Sequence, residues 1–196
     1  MTNSPATNKV DDIFIEAVNE QLEGYDEAAL IGLLGKKLPS RERIEQDLQS
    51  DTLYSDNPHL VRCILTYLER KKRTDENFTD FWKLTDNGKP AWSVEHIYPQ
   101  KPKAGEWPED CKDRLHALGN LTLSAYNSNL SNHSFAKKAH IQEAGKDGKD
   151  IGLKSGNVKI NDYLEHVVDD QWSAEHIDAR GKRLIEQFMS QLNLRN

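Results

Sequence analysis

Four side chains in the middle of the sequence could carry acid–base and metal chemistry together. Glu95 and His96 stand side by side in EHIYPQ, Asn120 follows a glycine in HALGNLTL, and Asn127 opens a polar run (Asn127, Ser128, Asn129, Ser131, Asn132) leading to Lys137 and Lys138. An imidazole exchanges protons near neutral pH. A carboxylate and an amide carbonyl are hard oxygen donors, and an asparagine amide can instead orient an imidazole by hydrogen bonding. One carboxylate, one histidine and two asparagines suit a single magnesium ion, which prefers oxygen ligands and keeps several waters, better than zinc. The competing reading of the polar run is a loop with helix caps, for which Asn and Ser are equally common.

Nearly the same hexamer occurs twice, WSVEHI at Trp92–Ile97 and WSAEHI at Trp172–Ile177. The second copy heads an amphipathic pattern in which Ile177, Leu184, Ile185, Phe188 and Leu192 share a face. Ser173 is placed to cap the first turn, with Glu175 near the positive end of the helix dipole, so His176 is expected at the helix start, packed there or facing solvent. The first copy runs into Pro99, which lacks an amide proton and disfavours helical geometry at Tyr98, so Glu95 and His96 belong to a strand or its end.

The elements that must position these residues follow from periodicity. In NPHLVRCILTYLERKK, Leu60, Val61, Ile64, Leu65 and Leu68 recur at three- and four-residue steps, giving a helix with one buried face. SRERIEQDLQS reads as another helix with Ser40 at its N-cap. From Phe78 to Thr122 the chain is broken by Pro90, Pro99, Pro102, Gly105 and Pro108 and is rich in aromatics, with SVEHIY and NLTLS as its strands. Helical signals resume at SFAKKAHIQEA, ending in Gly145, and again from Ser173 onward. No repeat of domain size is present. The fold class expected is mainly α with a small β element: residues 1–37 form a flank, disordered then helical, and residues 38–192 a helical domain around a core at about 90–145.

With 196 residues the chain can bury a substantial core. The two cysteines, Cys63 and Cys111, are far apart and outside any Cys-x-x-Cys pattern, so neither a disulfide framework nor a zinc ribbon is indicated. No apolar run approaches the ~20 residues of a membrane span, and the N-terminus lacks the order of a signal peptide, so a cytoplasmic setting is expected. A formal charge of -6 weighs against nucleic acid as a partner, but acid concentrates in Asp11 to Glu27 and Asp162 to Asp178, leaving basic stretches at Glu69 to Arg73 and Lys137 to Lys159.

EHIYPQ, HALGNLTL and YNSNLSNHSFAKK, in that order, resemble the HNH or His-Me finger nucleases, and specifically the C-terminal nuclease domain of GmrSD-type restriction enzymes. The likeness extends to LPSRERIEQDL and VRCILTYLERKK before these blocks and to WSAEHIDAR after them. It implies a helical scaffold around a ββα-metal core and a metal-dependent DNA endonuclease of a restriction or antiphage system. By this resemblance His96 is the general base, Glu95 and Asn127 hold a magnesium or manganese ion, and Asn120 orients the histidine and steadies its loop. Asn129 competes with Asn127, Lys138 with Lys137 beside it contacts the DNA backbone, and His116 supports the site from behind. The family's nucleotide-binding domain, with its DGQQR-like motif, is not matched, and there is no P-loop. The expectation is therefore either the nuclease domain of a larger restriction or defence protein, with an N-terminal sensor domain or subunit as partner, or a free-standing relative. The rival expectations are a catalytically inactive nuclease-fold module that binds DNA or a partner protein, and a purely helical interaction domain.

Overall fold

The computed structural model describes residues 12, 15, 16, 18, 19, 24, 26–37, 39–143, 148–168 and 171–192. The expected disorder before residue 11, most of the acidic N-terminal stretch and the Gly145 helix end lie outside the described residues. The fold is mainly α with a single two-stranded sheet: α1 Glu27–Lys37, α2 Arg41–Leu48, α3 Leu53–Asp56, α4 Pro58–Lys71, β1 Ser93–His96, β2 Leu121–Ser124, α5 Asn127–Leu130, α6 Phe135–Ala139 and α7 Ala174–Gln191, with 3-10 helices at Glu109–Arg114, Leu118–Asn120 and Lys159–His166.

Local chemistry sets the helix starts. Ser40 Oγ accepts the Arg43 amide ahead of α2, and Asn57 Oδ1 accepts the Leu60 amide ahead of α4, where Pro58 occupies the first turn at no cost because its missing N–H would have been unsatisfied there. On α4, Val61, Ile64, Leu65 and Leu68 are buried, as their spacing demands, and Leu60 packs at the edge. Each such side chain contributes about 1.5–3 kcal/mol when fully removed from water.

Two apolar clusters result. One joins α2, α3 and α4 to α7 through Leu121 and Leu123 of β2; the other joins Ile97, Tyr98, Trp107, Phe135, Trp172 and Ile177. The hairpin lies between them, β1 antiparallel to β2 with Glu95 opposite Thr122 and His96 opposite Leu121. Helix α7 is held against the turn before β2 by a close backbone approach at Gly119, where a Cβ would stand 1.9 Å from the Ile177 carbonyl oxygen.

Helix α6 is shorter than its sequence suggests. The segment Ile151–Lys154 returns beside it, and the amides of Leu153 and Lys154 take the carbonyls of Lys138 and Ala139 at 2.8 and 3.1 Å. The last carbonyls of α6 are satisfied from outside, so the helix stops at Ala139, and Gln142 pairs with Asp150 in an isolated bridge. Among the described residues no helix is long and apolar enough to cross a membrane.

Candidate active site

The hairpin and the two short helices after β2 bring the singled-out residues into one neighbourhood. Strand β1 ends at His96, and Pro99 keeps Tyr98 from turning into a helix. An open cleft of about 230 Å³ lies at this end of the hairpin, lined by Tyr54, Val94, Glu95, His96, Pro99, Gln100, Ser131 and Asn132. Ser131, which carries a left-handed backbone (φ 41°), ends α5 and swings the chain over the cleft before α6 begins. A more enclosed cavity of about 200 Å³ at the other end of the hairpin is lined by Trp92, Tyr126 and Arg73 but by no histidine. The candidate residues Glu95 and His96 therefore line the shallower hollow.

His96 is 7% exposed. Burial, then the nearby His116 and the Lys138 ammonium, push its pKa down to about 4, so the ring is neutral at pH 7. Its Nε2 lies 3.3 Å from His116 Nδ1. Glu95 is nearly as buried, and its Oε1 accepts from Lys138 Nζ at 2.6 Å. Burial raises the Glu95 carboxyl and lowers the Lys138 ammonium, and their mutual attraction opposes both shifts.

Lys138 differs from its expected position. The resemblance sends it to DNA phosphate, yet it is fully buried and spends its ammonium on Glu95 and on the His96 carbonyl at 2.7 Å. The neighbouring Lys137 is exposed.

Asn120 is fully buried and its amide is saturated. Oδ1 accepts from the Tyr98 amide at 2.8 Å and from Trp172 Nε1 at 3.2 Å; Nδ2 donates to the carbonyls of Tyr98 and Leu115 at 3.0 and 2.9 Å. These four bonds exhaust the side chain, so it fixes the backbone two residues after His96 and has nothing left for the imidazole itself. Asn127 Nδ2 donates to Ser93 Oγ at 2.8 Å and to the Val94 carbonyl at 3.2 Å, while its Oδ1 is buried without a partner. Asn129 is exposed, with Ser128 Oγ 3.4 Å from its Oδ1, and neither it nor Asn127 is among the residues that line the cleft.

Several supporting residues escaped the sequence reading. Tyr54 packs edge-on to His96 with ring centroids 4.9 Å apart, and nothing local in its sequence signals that role. Trp172, from the second hexamer, braces Asn120. Arg180 of α7 is wholly buried and donates to the carbonyls of Gly119 and Leu121, both at 2.8 Å, tying the helix to the start of β2. Burial lowers its pKa to about 9, and its position in WSAEHIDAR was the available signal.

No curated protein and no solved structure matches the chain. A family model does: over residues 38–187 the sequence matches GmrSD restriction endonucleases, C-terminal domain, and the chain belongs to that family of restriction-system nuclease domains.

Proposed function

We propose that the chain is a metal-dependent DNA endonuclease domain of the HNH type, with His96 as the general base that hydrolyses a phosphodiester bond. The observation that carries this reading is a neutral, desolvated histidine at the mouth of a cleft, one residue from a buried carboxylate, with the Asn127 amide bonded to Ser93 and Val94 of the same strand and its oxygen left unpartnered. A neutral imidazole can take the proton of a water as that water attacks phosphorus, and burial keeps the ring from being protonated in advance. Attack in line with the 3′ oxygen leaves a 5′-phosphate on one product.

The donor set fits one hard cation. Among the described residues no group of three or more His, Cys, Asp and Glu could hold a metal, which disfavours zinc-like sites. Glu95 engages Lys138 through Oε1, and Asn127 presents an orphaned Oδ1 fixed by the two bonds of its Nδ2. Glu95 and Asn127 would hold magnesium, or manganese, which keeps most of its waters. When bound, the cation supplies electrostatic stabilisation of the charge that develops on the phosphate oxygens. Lys138 keeps the buried Glu95 ionised instead of touching DNA, and exposed Lys137 on α6 is the lysine of the pair available to the backbone. The setting is an antiphage restriction system in the cytoplasm, with target sensing in an N-terminal partner domain or subunit.

A second reading, a nuclease-fold module that only binds DNA or a partner, draws support from the lysine already seated on Glu95. Incubation with supercoiled plasmid separates the two. Nicking that requires magnesium or manganese, is lost in Asn127→Ala and yields 5′-phosphate ends supports the enzyme. Intact plasmid under every divalent cation, or full activity in Asn127→Ala, contradicts it.

A further inference from the structure

His96 is held by a pair of rings that the reaction above does not use. His116 Nδ1 stands 3.3 Å from His96 Nε2, with the two rings near perpendicular at 77°. Tyr54, at the start of α3, lies face to face with His116 at 5.8 Å and 18° and edge-on to His96 at 4.9 Å and 89°. The Tyr54 amide also donates to the His116 carbonyl at 3.1 Å, so the ring pair is tied at the backbone as well. Asn120 cannot share this duty, because its amide is exhausted by Tyr98, Leu115 and Trp172.

A neutral imidazole carries one proton, and the hydrogen bond at one nitrogen decides what the other can do. If His96 Nε2–H donates to His116 Nδ1, the lone pair of His96 sits on Nδ1 and is free to accept a proton. If the donation runs the other way, Nδ1 carries the hydrogen and the ring has no basic nitrogen left. We infer that His116 and Tyr54 are positioning residues that lock His96 in the Nε2–H tautomer and reserve Nδ1 as its basic nitrogen. The inference rests on the reading of His96 as the base, and it assigns to a histidine and a tyrosine the orienting task that the family resemblance gave to Asn120.

The test uses the full chain labelled with 15N-histidine. Two-bond proton–nitrogen correlations at pH 7 should show His96 protonated at Nε2 and bare at Nδ1. His116→Leu should erase that preference and lower kcat for plasmid nicking by about 10- to 100-fold with KM little changed. His116→Asn, whose Oδ1 can stand in for Nδ1 as acceptor, should recover most of the loss, and Tyr54→Leu should lower kcat in the same direction. An Nδ1–H tautomer in the wild type, or full kcat in His116→Leu, overturns the positioning role while leaving His96 as base. Full activity in His96→Ala overturns the base assignment, and with it this role.

Discussion

The two hexamers put the same letters to opposite physical uses. In Trp92–Ile97 the Glu-His pair ends a strand: Glu95 and His96 are buried, Glu95 meets a buried lysine, and His96 meets a second histidine. In Trp172–Ile177 the pair rides the first turn of α7. The Ser173 amide donates to His176 Nδ1 at 3.3 Å, Ser173 Oγ lies 2.8 Å from the same atom, and the His176 ring stacks on Trp172 at 5.8 Å. One proline decides between them, because Pro99 forbids at the first site the helix that forms freely at the second. The second copy is nevertheless not idle. Trp172 donates to Asn120, and Ile177 packs its backbone against Gly119, so the capping hexamer supports the turn that leads into β2.

This contrast can be strained at points of decreasing cost. Lys138→Met leaves Glu95 buried without its partner and should lower stability by about 3–5 kcal/mol in denaturant titrations, whereas Lys182→Met on the exposed side of α7 should stay within about 0.5 kcal/mol. Gly119→Ala drives a methyl into the Ile177 carbonyl and should cost about 3 kcal/mol, while Gly181→Ala, whose Cβ meets Gly119 only at 3.4 Å, should be near neutral. The His96 pKa near 4 lies below its ordinary 6.5, so between those values the unfolded chain binds a proton that the folded chain refuses, and stability rises with pH across that window. Melting curves from pH 7 down to 4 should therefore show the wild type losing on the order of 2 kcal/mol more than His96→Gln. His176→Ala removes a cap partner and should cost about 1 kcal/mol.

What the sequence made legible was local. The faces of α4 and α7, the cap at Ser40, and the strand character of SVEHIY and NLTLS all follow from periodicity and breakers within a few residues. The boundary of α6 did not, because the amides that satisfy its last carbonyls arrive from Leu153 and Lys154 on a returning segment. Lys138 reads as a surface lysine in a basic run, and only the arrival of Glu95 from β1 turns it inward. Tyr54 reaches His96 from a sequence-distant element with no pattern around it that announces the contact, whereas His116 stood in a motif block as a supporting residue without its partner being legible. The residue types of the candidate site stand in the sequence; which polar atom each one offers is a tertiary matter.

The central claim is that chemistry belongs to the first hexamer and helix capping to the second. Its most direct test is nicking of supercoiled plasmid in magnesium by the wild type, His96→Ala and His176→Ala, each checked for folding by thermal melting. The account predicts that His96→Ala loses activity by about 10²- to 10⁴-fold while His176→Ala cuts like the wild type at a slightly lower melting temperature. Activity lost in a folded His176→Ala, with His96→Ala still cutting, would contradict it.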